Sequence, residues 1–374
     1  MSDDALSFSF SIGEYRRRRE ATLALAHDAG AGVVLAFGEN RSGIAVTYLT
    51  GWPVTRAASY RLTDAESTLS VQFHNHVPQA RRVAVDADVR DVDDRLPEHL
   101  LAGGGTVATL GPVPADVRAR ADADGVDLVP LDAAHARLRM IKSEEEQQAL
   151  RMGARASDAG ARALIDACRP GATDWELLAA ARDAYTRIGA RDHICYLSVT
   201  DMAASDRDVP GQAPEGRTLK TGSVVLFELS ASIAPEYPGQ VLRTVTVGEP
   251  TDQYRDLHEV AARARAAVRE RIRPGVAAQD LVDASSLVEQ SGYTTTDDLF
   301  HGLGMGYLEP IGTTSSRVPV RRPECLLEAG MSIVVQPNVT TTDHRAGVQT
   351  GEMVIVSGQG FEDIHDLQEG LVTV

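Results

Sequence analysis

The chain has 374 residues, of which 43% are hydrophobic and 24% are charged, and its net charge at pH 7 is −16. This length predicts two domains of ordinary size, each able to bury its own core. The negative charge disfavours nucleic acid and anionic membrane as partners, because both would repel the protein surface. The three scattered cysteines predict no disulfide framework, and the lack of a transmembrane-length or signal-peptide apolar stretch predicts a cytoplasmic location.

The first third of the chain has the pattern of an α/β domain. Ser11 and Glu14 have the spacing of a capping box, which predicts a helix over residues 11–30. Short apolar segments follow, and their β-branched residues and Gly, Pro or Asp boundaries predict strands. These strands are 32–38, 44–51, 67–73, 81–87, 106–111 and 127–132, with helical stretches at 93–102 and 114–124 among them. Residues 1–138 are therefore predicted to form one domain with a mixed sheet.

The pattern changes near residue 139 to long helices and paired strands. Capping-box spacings at Ser143 and Thr173 begin two of the helices. The predicted helices are 143–168, 173–189, 252–272 and 277–291, and the predicted strands are 223–230, 241–247, 331–336 and 352–357. Segment 203–218 is rich in Pro, Gly and Asp and is predicted to be a loop. Residues 139–374 are thus predicted to form an α+β domain with an antiparallel sheet.

A family resemblance begins at the junction RLRMIKSEEEQQALRMGARASDAG (137–160) and continues through five later segments. These segments are LKTGSVVLFEL (219–229), YPGQVLRTVTVG (237–248), HGLGMGYLEP (301–310), GMSIVVQP (330–337) and GVQTGEMVIV (347–356). In this order they resemble the creatinase, prolidase and aminopeptidase P family. The resemblance implies a creatinase-like α/β N-terminal domain (1–138) and an α+β pita-bread C-terminal domain (139–374). It also implies a homodimer in which the neighbouring subunit helps to close the pocket.

The resemblance also implies where metal ligands would lie. In metal-dependent members, two Asp, one His and two Glu side chains hold a pair of dications that activate water. The corresponding positions of this chain are Glu228, Gln240, His301, Gln336 and Gly351. Two hard dications at short separation need several anionic oxygens, and only one of these five residues is a carboxylate. The sequence therefore predicts no metal and no other cofactor.

Creatinase uses the same fold without a metal, but its residues are not retained either. The resemblance places its proton-shuttling His at Gly211 and its substrate-binding Glu residues at Leu242 and Gln336. The second catalytic His of the family falls at Leu308. Neither the peptidase nor the creatinase chemistry is therefore implied intact.

The remaining polar residues of the pocket segments predict a different site. His301 and Glu228 are candidates for a catalytic acid–base pair, since a carboxylate can orient an imidazole and stabilise its cation. Alternatively, His301 only completes a hydrogen-bond network, and Glu228 pairs with Arg243 across a hairpin. Gln240 and Gln336 cannot act as acid or base, but their amides can bind an amide, carboxylate or guanidine-like group, or serve as buried neutral isosteres.

Further candidates for substrate binding lie in the same segments. They are Glu309, Glu352, Tyr307 and Arg243. Glu352 is also a reserve candidate for the missing carboxylate next to Gly351. Weaker candidates, for which structural or surface roles are the alternative, are Tyr237 in segment 237–248 and, outside the five segments, His193, the HNH sequence at 74–76 and the DHR sequence at 343–345.

These observations predict a metal-independent enzyme that acts on a small amide, lactam or amidino-type substrate. The reaction would be hydrolysis of a C–N bond, or an elimination or cyclisation in specialised metabolism. One alternative is a catalytically inactive family member that binds a ligand or partner. A weaker alternative is residual metallopeptidase activity on Xaa-Pro substrates.

Overall fold

The computed structural model describes residues 6–91, 100–102, 105–234 and 236–374, and divides into two compact units. One unit is Ser9–Arg139, and the other is Met140–Val374 together with a short N-terminal segment that ends at Phe8. The division after Arg139 differs by one residue from the predicted domain boundary. In the described part of the chain, no helix is long and apolar enough to cross a membrane.

The Ser9–Arg139 unit is built on a mixed sheet, as predicted. Its described strands are β1 (Val33–Gly38), β2 (Ala58–Leu62), β3 (Ser67–Val71), β4 (Asp88–Asp91), β5 (Thr106–Leu110) and β6 (Asp127–Pro130). They lie in the order β4-β3-β2-β1-β5-β6, and β1 pairs antiparallel with β2 but parallel with β5. The described helices are α1 (Ile12–Asp28), α2 (Ile44–Thr50), α3 (Val77–Val83), α4 (Ala115–Asp124) and α5 (Asp132–Leu138).

Two strand predictions in this unit are wrong. Segment 44–51 forms helix α2, which is buried at almost every position and ends at Gly51 with a φ of 76°. A short apolar run that is buried on all sides has no periodicity to distinguish helix from strand. Segment 81–87 contains the end of α3, and the strand begins only at Asp88. The helix predicted over 93–102 falls largely outside the described residues.

The described helices of the second unit are α6 (Glu144–Ala167), α7 (Asp174–Arg187), α8 (Asp252–Arg269), α9 (Ala278–Ala284) and α10 (Leu287–Gln290). The first two begin where the capping boxes predicted. Ser143 and Thr173 each accept a hydrogen bond from the backbone three residues later, and Glu146 and Glu176 bond back to the cap backbone. These reciprocal bonds satisfy amides that the first turn would leave unpaired. The helix predicted over 277–291 is divided into α9 and α10.

A large sheet forms the centre of this unit. Its described strands are β7 (Arg191–Asp201), β8 (Ser223–Ser232), β9 (Pro238–Thr246), β11 (Phe300–Gly304), β12 (Gly306–Gly312), β13 (Ser332–Val335), β15 (Gly351–Val356), β16 (Phe361–Asp363) and β17 (Val372–Thr373). The main order is β12-β11-β13-β15-β9-β8-β7, with antiparallel neighbours throughout. Two further short strands, β10 (Thr294–Thr295) and β14 (Val339–Thr340), pair with each other.

The strand register brings distant polar residues to one place. On β8 and β9, Ser230 lies opposite Gln240 and Glu228 lies opposite Leu242, so Glu228 and Gln240 are diagonal neighbours on one face. His301 lies opposite Val334 on β13. The predicted loop over 203–218 is irregular in the structure.

Candidate active site

A cavity of about 460 Å³ opens in the second unit, where most of the predicted site residues meet. Its described lining is His193, Ile194 and Tyr196 of β7, Val209, Pro210 and Gln212 of the irregular loop, Glu228, Gln240, Thr296, Asp297, His301, Leu303, Tyr307 and Gln336. Five of the eight predicted site residues are in this set: His301, Glu228, Gln240, Gln336 and Tyr307. The volume is in the range typical of pockets for small molecules.

Three side chains form a hydrogen-bonded group in the cavity, which we name the amide cluster: Glu228, Gln240 and Gln336. Gln240 Nε2 donates to Glu228 Oε1 at 2.8 Å and to Gln336 Oε1 at 3.0 Å. Both glutamines are buried. Because one amide nitrogen donates to both neighbours, the cluster satisfies much of its own hydrogen-bonding capacity without any charged partner.

His301 is held in one orientation. Its Nδ1 lies 3.1 Å from the Gly302 carbonyl oxygen, which only accepts hydrogen bonds, so Nδ1 carries the proton and Nε2 has the lone pair. The ring stacks on Tyr307 with the two centroids 4.0 Å apart. Burial lowers the pKa of His301 to about 4, although the bond to the carbonyl of Gly302 opposes this shift. The imidazole is therefore neutral at pH 7.

Glu228 has the opposite character from an ordinary glutamate. Burial, and then the negative charge of Asp297, raise the pKa of Glu228 to about 8. The side chain is therefore mainly a protonated carboxylic acid at pH 7. This corrects the predicted picture of a carboxylate that stabilises an imidazolium: the pair at neutral pH is a carboxylic acid and a neutral imidazole.

Asp297 is a cavity residue that the sequence reasoning missed. It lies four residues before His301, on the segment that leads into β11, and burial raises its pKa. Its neighbour Asp298 instead accepts the hydroxyl proton of Tyr307 and lies 3.4 Å from Arg317. The available signal in the sequence was the pair of aspartates shortly before the HGLG segment, Asp297 and Asp298.

The comparisons with known proteins agree with the resemblance. The sequence pattern of metallopeptidase family M24 matches residues 148–358, more than half of the chain. The chain belongs to this family. Uncharacterized peptidases of Staphylococcus aureus, from strains USA300 and NCTC 8325 among others, are 28% identical to it over 232 residues. That alignment covers 60% of this chain and only 62% of those relatives' length.

Solved structures confirm the pita-bread fold for this M24 chain. A Bacillus anthracis Xaa-Pro dipeptidase has a TM-score of 0.80 at 18% identity, and the match covers 96% of this chain and 100% of that one. An X-Pro aminopeptidase from Thermotoga maritima gives 0.82 at 20% identity, with 95% and 99% covered. The dipeptidase PepE of Mycobacterium ulcerans gives 0.79 at 23% identity, with 98% and 99% covered.

Membership in a metallopeptidase family implies bound metal, but the residues of this M24 chain do not fit a pair of dications. The Nε2 group of Gln240 donates to Glu228 Oε1 and to Gln336 Oε1, and an N–H group cannot ligate a cation. At Gly351, a Cβ would lie 2.7 Å from the Val335 carbonyl oxygen and 2.8 Å from Gln336 Cβ, so no ligating side chain fits there. Among the described residues, no group of three His, Cys, Asp or Glu side chains is placed to hold a metal ion.

Arg243 and Glu352 lie outside the cavity, which corrects their prediction as substrate-binding residues. They belong to a second group, which we name the arginine cluster: Arg243, Arg265, Arg269 and Glu352. Glu352 lies 2.9 Å from Arg243, 2.6 Å from Arg265 and 3.0 Å from Arg269. Burial would raise the pKa of Glu352, but Arg265 and Arg243 outweigh it and hold the pKa below its usual value. Glu352 is thus fully engaged and does not replace the missing ligand carboxylate.

The other candidates have structural or surface positions. Glu309 is exposed, and its carboxylate accepts the backbone N–H of Ile311, which corrects its prediction as a substrate-binding residue. Tyr237 donates its hydroxyl proton to Glu146. The HNH sequence at 74–76 is a short 3-10 turn of the Ser9–Arg139 unit.

Two candidate histidines lie near the cavity. His193 lines it, with its Nδ1 3.9 Å from Glu236. In the DHR sequence, His344 is 3.2 Å from Asp208 on the irregular loop and lines no part of the described cavity. His193 therefore remains a candidate for substrate contact, and His344 links two loops.

Proposed function

We propose that this chain is a metal-independent enzyme that cleaves a C–N bond in a small amide, lactam or amidino-type molecule. The supporting observation is that His301 and Glu228 line one small cavity in which, at pH 7, the imidazole is neutral and the carboxyl group, unlike that of a free glutamate, keeps its proton. A neutral imidazole and a protonated carboxyl group are a base and an acid that need no prior proton transfer at pH 7. Membership in a peptidase family is consistent with C–N hydrolysis.

In this proposal His301 activates water. Its Nδ1–H is fixed on the Gly302 carbonyl, so the Nε2 lone pair takes a proton from the water whose oxygen attacks the substrate carbon. Glu228 gives its proton to the departing nitrogen as the C–N bond breaks. An amide would yield a carboxylic acid and an amine, and the imidazolium then returns a proton to the Glu228 carboxylate.

The two proton transfers support each other. A lone imidazolium would be costly at His301, because burial already lowers the pKa of its ring to about 4. If Glu228 releases its proton as His301 gains one, the net charge of the cavity does not change. The cost of forming each ion is then offset by attraction to the other.

The two glutamines of the amide cluster supply binding rather than proton transfer. Gln240 and Gln336 have no titratable group near neutral pH, and both are buried with their side chains at the cavity. Their hydrogen bond to each other fixes the direction of the amide groups. Tyr307 forms a wall against which His301 is stacked. These contacts hold the reacting groups in one geometry, and such orientation lowers the entropic part of the reaction barrier.

The test is turnover by chelator-treated protein on a panel of small amides, lactams and amidines, followed by mass spectrometry. We expect activity without added metal, and a loss of about 10²–10⁴-fold in His301→Ala, the range for a general base. His27→Ala is the matched control, because His27 lies on α1 in the other unit and is 3.4 Å from Asp64.

The other outcomes separate the alternatives. Activity that returns only with added Mn²⁺, Co²⁺ or Zn²⁺ would contradict the proposal and favour a metallopeptidase. Substrate binding without turnover, unchanged in His301→Ala, would identify an inactive member that binds a ligand. If the summed mass of the products does not include one water molecule beyond the substrate, the reaction is an elimination or cyclisation and not a hydrolysis.

A further inference from the structure

A second cavity, of about 270 Å³, lies beside α8 in the second unit. It is separate from the candidate active site, since the described linings of the two cavities have no residue in common. Three basic side chains of α8 line it, His258, Arg265 and Arg269, together with two alanines of the same helix and Glu369. The small alanine side chains leave room for a ligand next to the basic groups.

Arg265 has a hydrogen-bond donor that its partners do not use. Its Nη2 donates to Glu352 Oε1 and to Glu369 Oε1, both at 2.6 Å. Its Nε is buried and has no hydrogen-bond partner among the described residues. A carboxylate or phosphate group frequently binds a guanidinium through two parallel N–H bonds, and an unpaired buried donor costs free energy. Arg265 is therefore able to bind an oxyanion more completely than it binds either glutamate.

His258 shows that the electrostatic potential in this cavity is positive. Burial lowers the pKa of His258, and the positive charges of Arg243 and Arg265 lower it further. Its Nε2 is also buried without a hydrogen-bond partner in the described part of the chain. Two unpaired buried nitrogens in a region of positive potential indicate a site for an anion.

The two carboxylates on Arg265 are held to different degrees. The side chain of Glu352 is 6% exposed and contacts three arginines. The side chain of Glu369 is 62% exposed, and its only ion pair within the described residues is the one with Arg265. An ion pair with an exposed partner contributes little to stability. Glu369 can therefore turn towards solvent at low cost, whereas Glu352 cannot.

We propose that the cavity beside α8 binds a small oxyanion, a carboxylate or phosphate group, in the place that Glu369 occupies on Arg265. Two oxygens of the ligand would accept hydrogen bonds from Nε and Nη2 of Arg265, and Arg269 supplies a second guanidinium on the same cavity. The Glu369 carboxylate itself supports this assignment, because it is an oxyanion already bound at that nitrogen. The proposal is independent of the chemistry at His301, which lines the other cavity.

The test is NMR of the full chain with ¹³C-labelled histidine, titrated separately with sodium acetate and with sodium phosphate. NaCl keeps the ionic strength constant, and His258→Gln identifies the His258 signal. We expect a saturable shift of that signal with acetate or phosphate, and a rise in the pKa of His258, because a bound anion opposes the charges of the two arginines. His27, in the other unit, should show neither change. Comparison of the two titrations tells whether the site prefers a carboxylate or a phosphate.

The decisive variant is Glu369→Gln, which removes the internal anion that competes with the ligand. We expect about two- to fivefold tighter binding, because an ion pair with an exposed partner contributes this much. Glu249→Gln is the matched control and should leave the affinity unchanged, since it removes a similar exposed partner from Arg255 of the same helix. Arg269→Gln should bind about tenfold more weakly, because a charged hydrogen bond is lost.

Three results would overturn the proposal. The first is no saturable shift of the His258 signal with either anion, which would mean that water satisfies the two nitrogens. The second is an equal shift with NaCl alone or at His27, which would indicate a general salt effect. The third is unchanged affinity in folded Glu369→Gln. If Arg269→Gln does not fold, the comparison of Glu369→Gln with Glu249→Gln decides.

Discussion

Two buried polar clusters lie on opposite faces of the same strands and have opposite electrostatic character. On β9, Gln240 belongs to the amide cluster and Arg243 to the arginine cluster, and an odd separation along a strand places side chains on opposite faces. On β15, Gly351 lies beside Gln336, whereas the next residue, Glu352, contacts three arginines.

The difference shows how one residue type acquires two chemistries. Glu228 has an amide neighbour and a nearby negative charge, so its pKa rises to about 8. Glu352 is also buried, but its arginines hold its pKa below the usual value. Glu352 is thus an ion that links α8 to the sheet, and Glu228 is an acid that faces open space. The arginine cluster therefore contributes to stability, whereas the amide cluster contains a group that can exchange a proton near neutral pH.

Among the substitutions that test this contrast, Arg243→Met is expected to have the largest effect on the free energy of unfolding. Arg243 is fully buried and donates to Glu352 and to the carbonyls of Leu242, Gly351, Leu367 and Gln368. Its removal takes a donor away from the four carbonyls and one of three arginines away from Glu352, so we expect a loss of about 3–5 kcal/mol in the free energy of unfolding. Urea denaturation followed by circular dichroism measures this loss.

The control for that substitution is Arg255→Met, on the exposed side of α8. Arg255 has exposed partners in Glu249 and Asp252, and surface pairs of this kind contribute about 0–1 kcal/mol. Similar losses in the two variants would mean that the arginine cluster is no more important for stability than a surface ion pair.

A smaller loss is expected from Gly351→Ala, which adds a methyl group between the two clusters. The new Cβ would meet the Val335 carbonyl oxygen at 2.7 Å, and backbone atoms cannot move aside cheaply. Overpacking of this kind costs about 1–3 kcal/mol, measurable by the same denaturation. The control is Gly360→Ala, whose nearest neighbour would lie at 4.0 Å. Unchanged stability in Gly351→Ala would show that a side chain fits there, and the argument against a ligand at this position would fail.

The sequence predicted the architecture of the second unit well because its signals are local. The capping boxes at Ser143 and Thr173 specify helix starts within four residues, and both formed. Segment 44–51 was predicted wrongly because its residues are buried on all sides, which removes the periodicity that identifies a helix. Its conformation depends on packing, which is not visible in the sequence.

For the site, the sequence predicted which positions meet but not their ionisation. The resemblance located Glu228, Gln240 and His301 in one cavity, whereas the protonation of Glu228 depends on burial and on Asp297, which comes from a distant segment. The prediction for Glu352 was wrong for a related reason. Its strand position was known, but the arginines on α8 that bind it are 83 and 87 residues away in the chain.

A further effect is expected on the pH dependence of stability, where the two glutamates should act in opposite directions. The pKa of Glu228 is raised, so the folded state holds its proton more tightly, and the unfolding free energy falls as pH rises from about 4.5 to about 8. The pKa of Glu352 is lowered, so its contribution is present above about 4.5 and is lost as pH falls below that value.

Urea denaturation of the wild type and Glu228→Gln at successive pH values isolates the effect of Glu228, which is limited to about 1.4 kcal/mol per pH unit for one proton. The difference between the two proteins should grow between pH 5 and pH 8, with the wild type becoming relatively less stable. A constant difference over that range would mean that Glu228 is ionised like an exposed glutamate, and the contrast between the clusters would then rest on geometry alone.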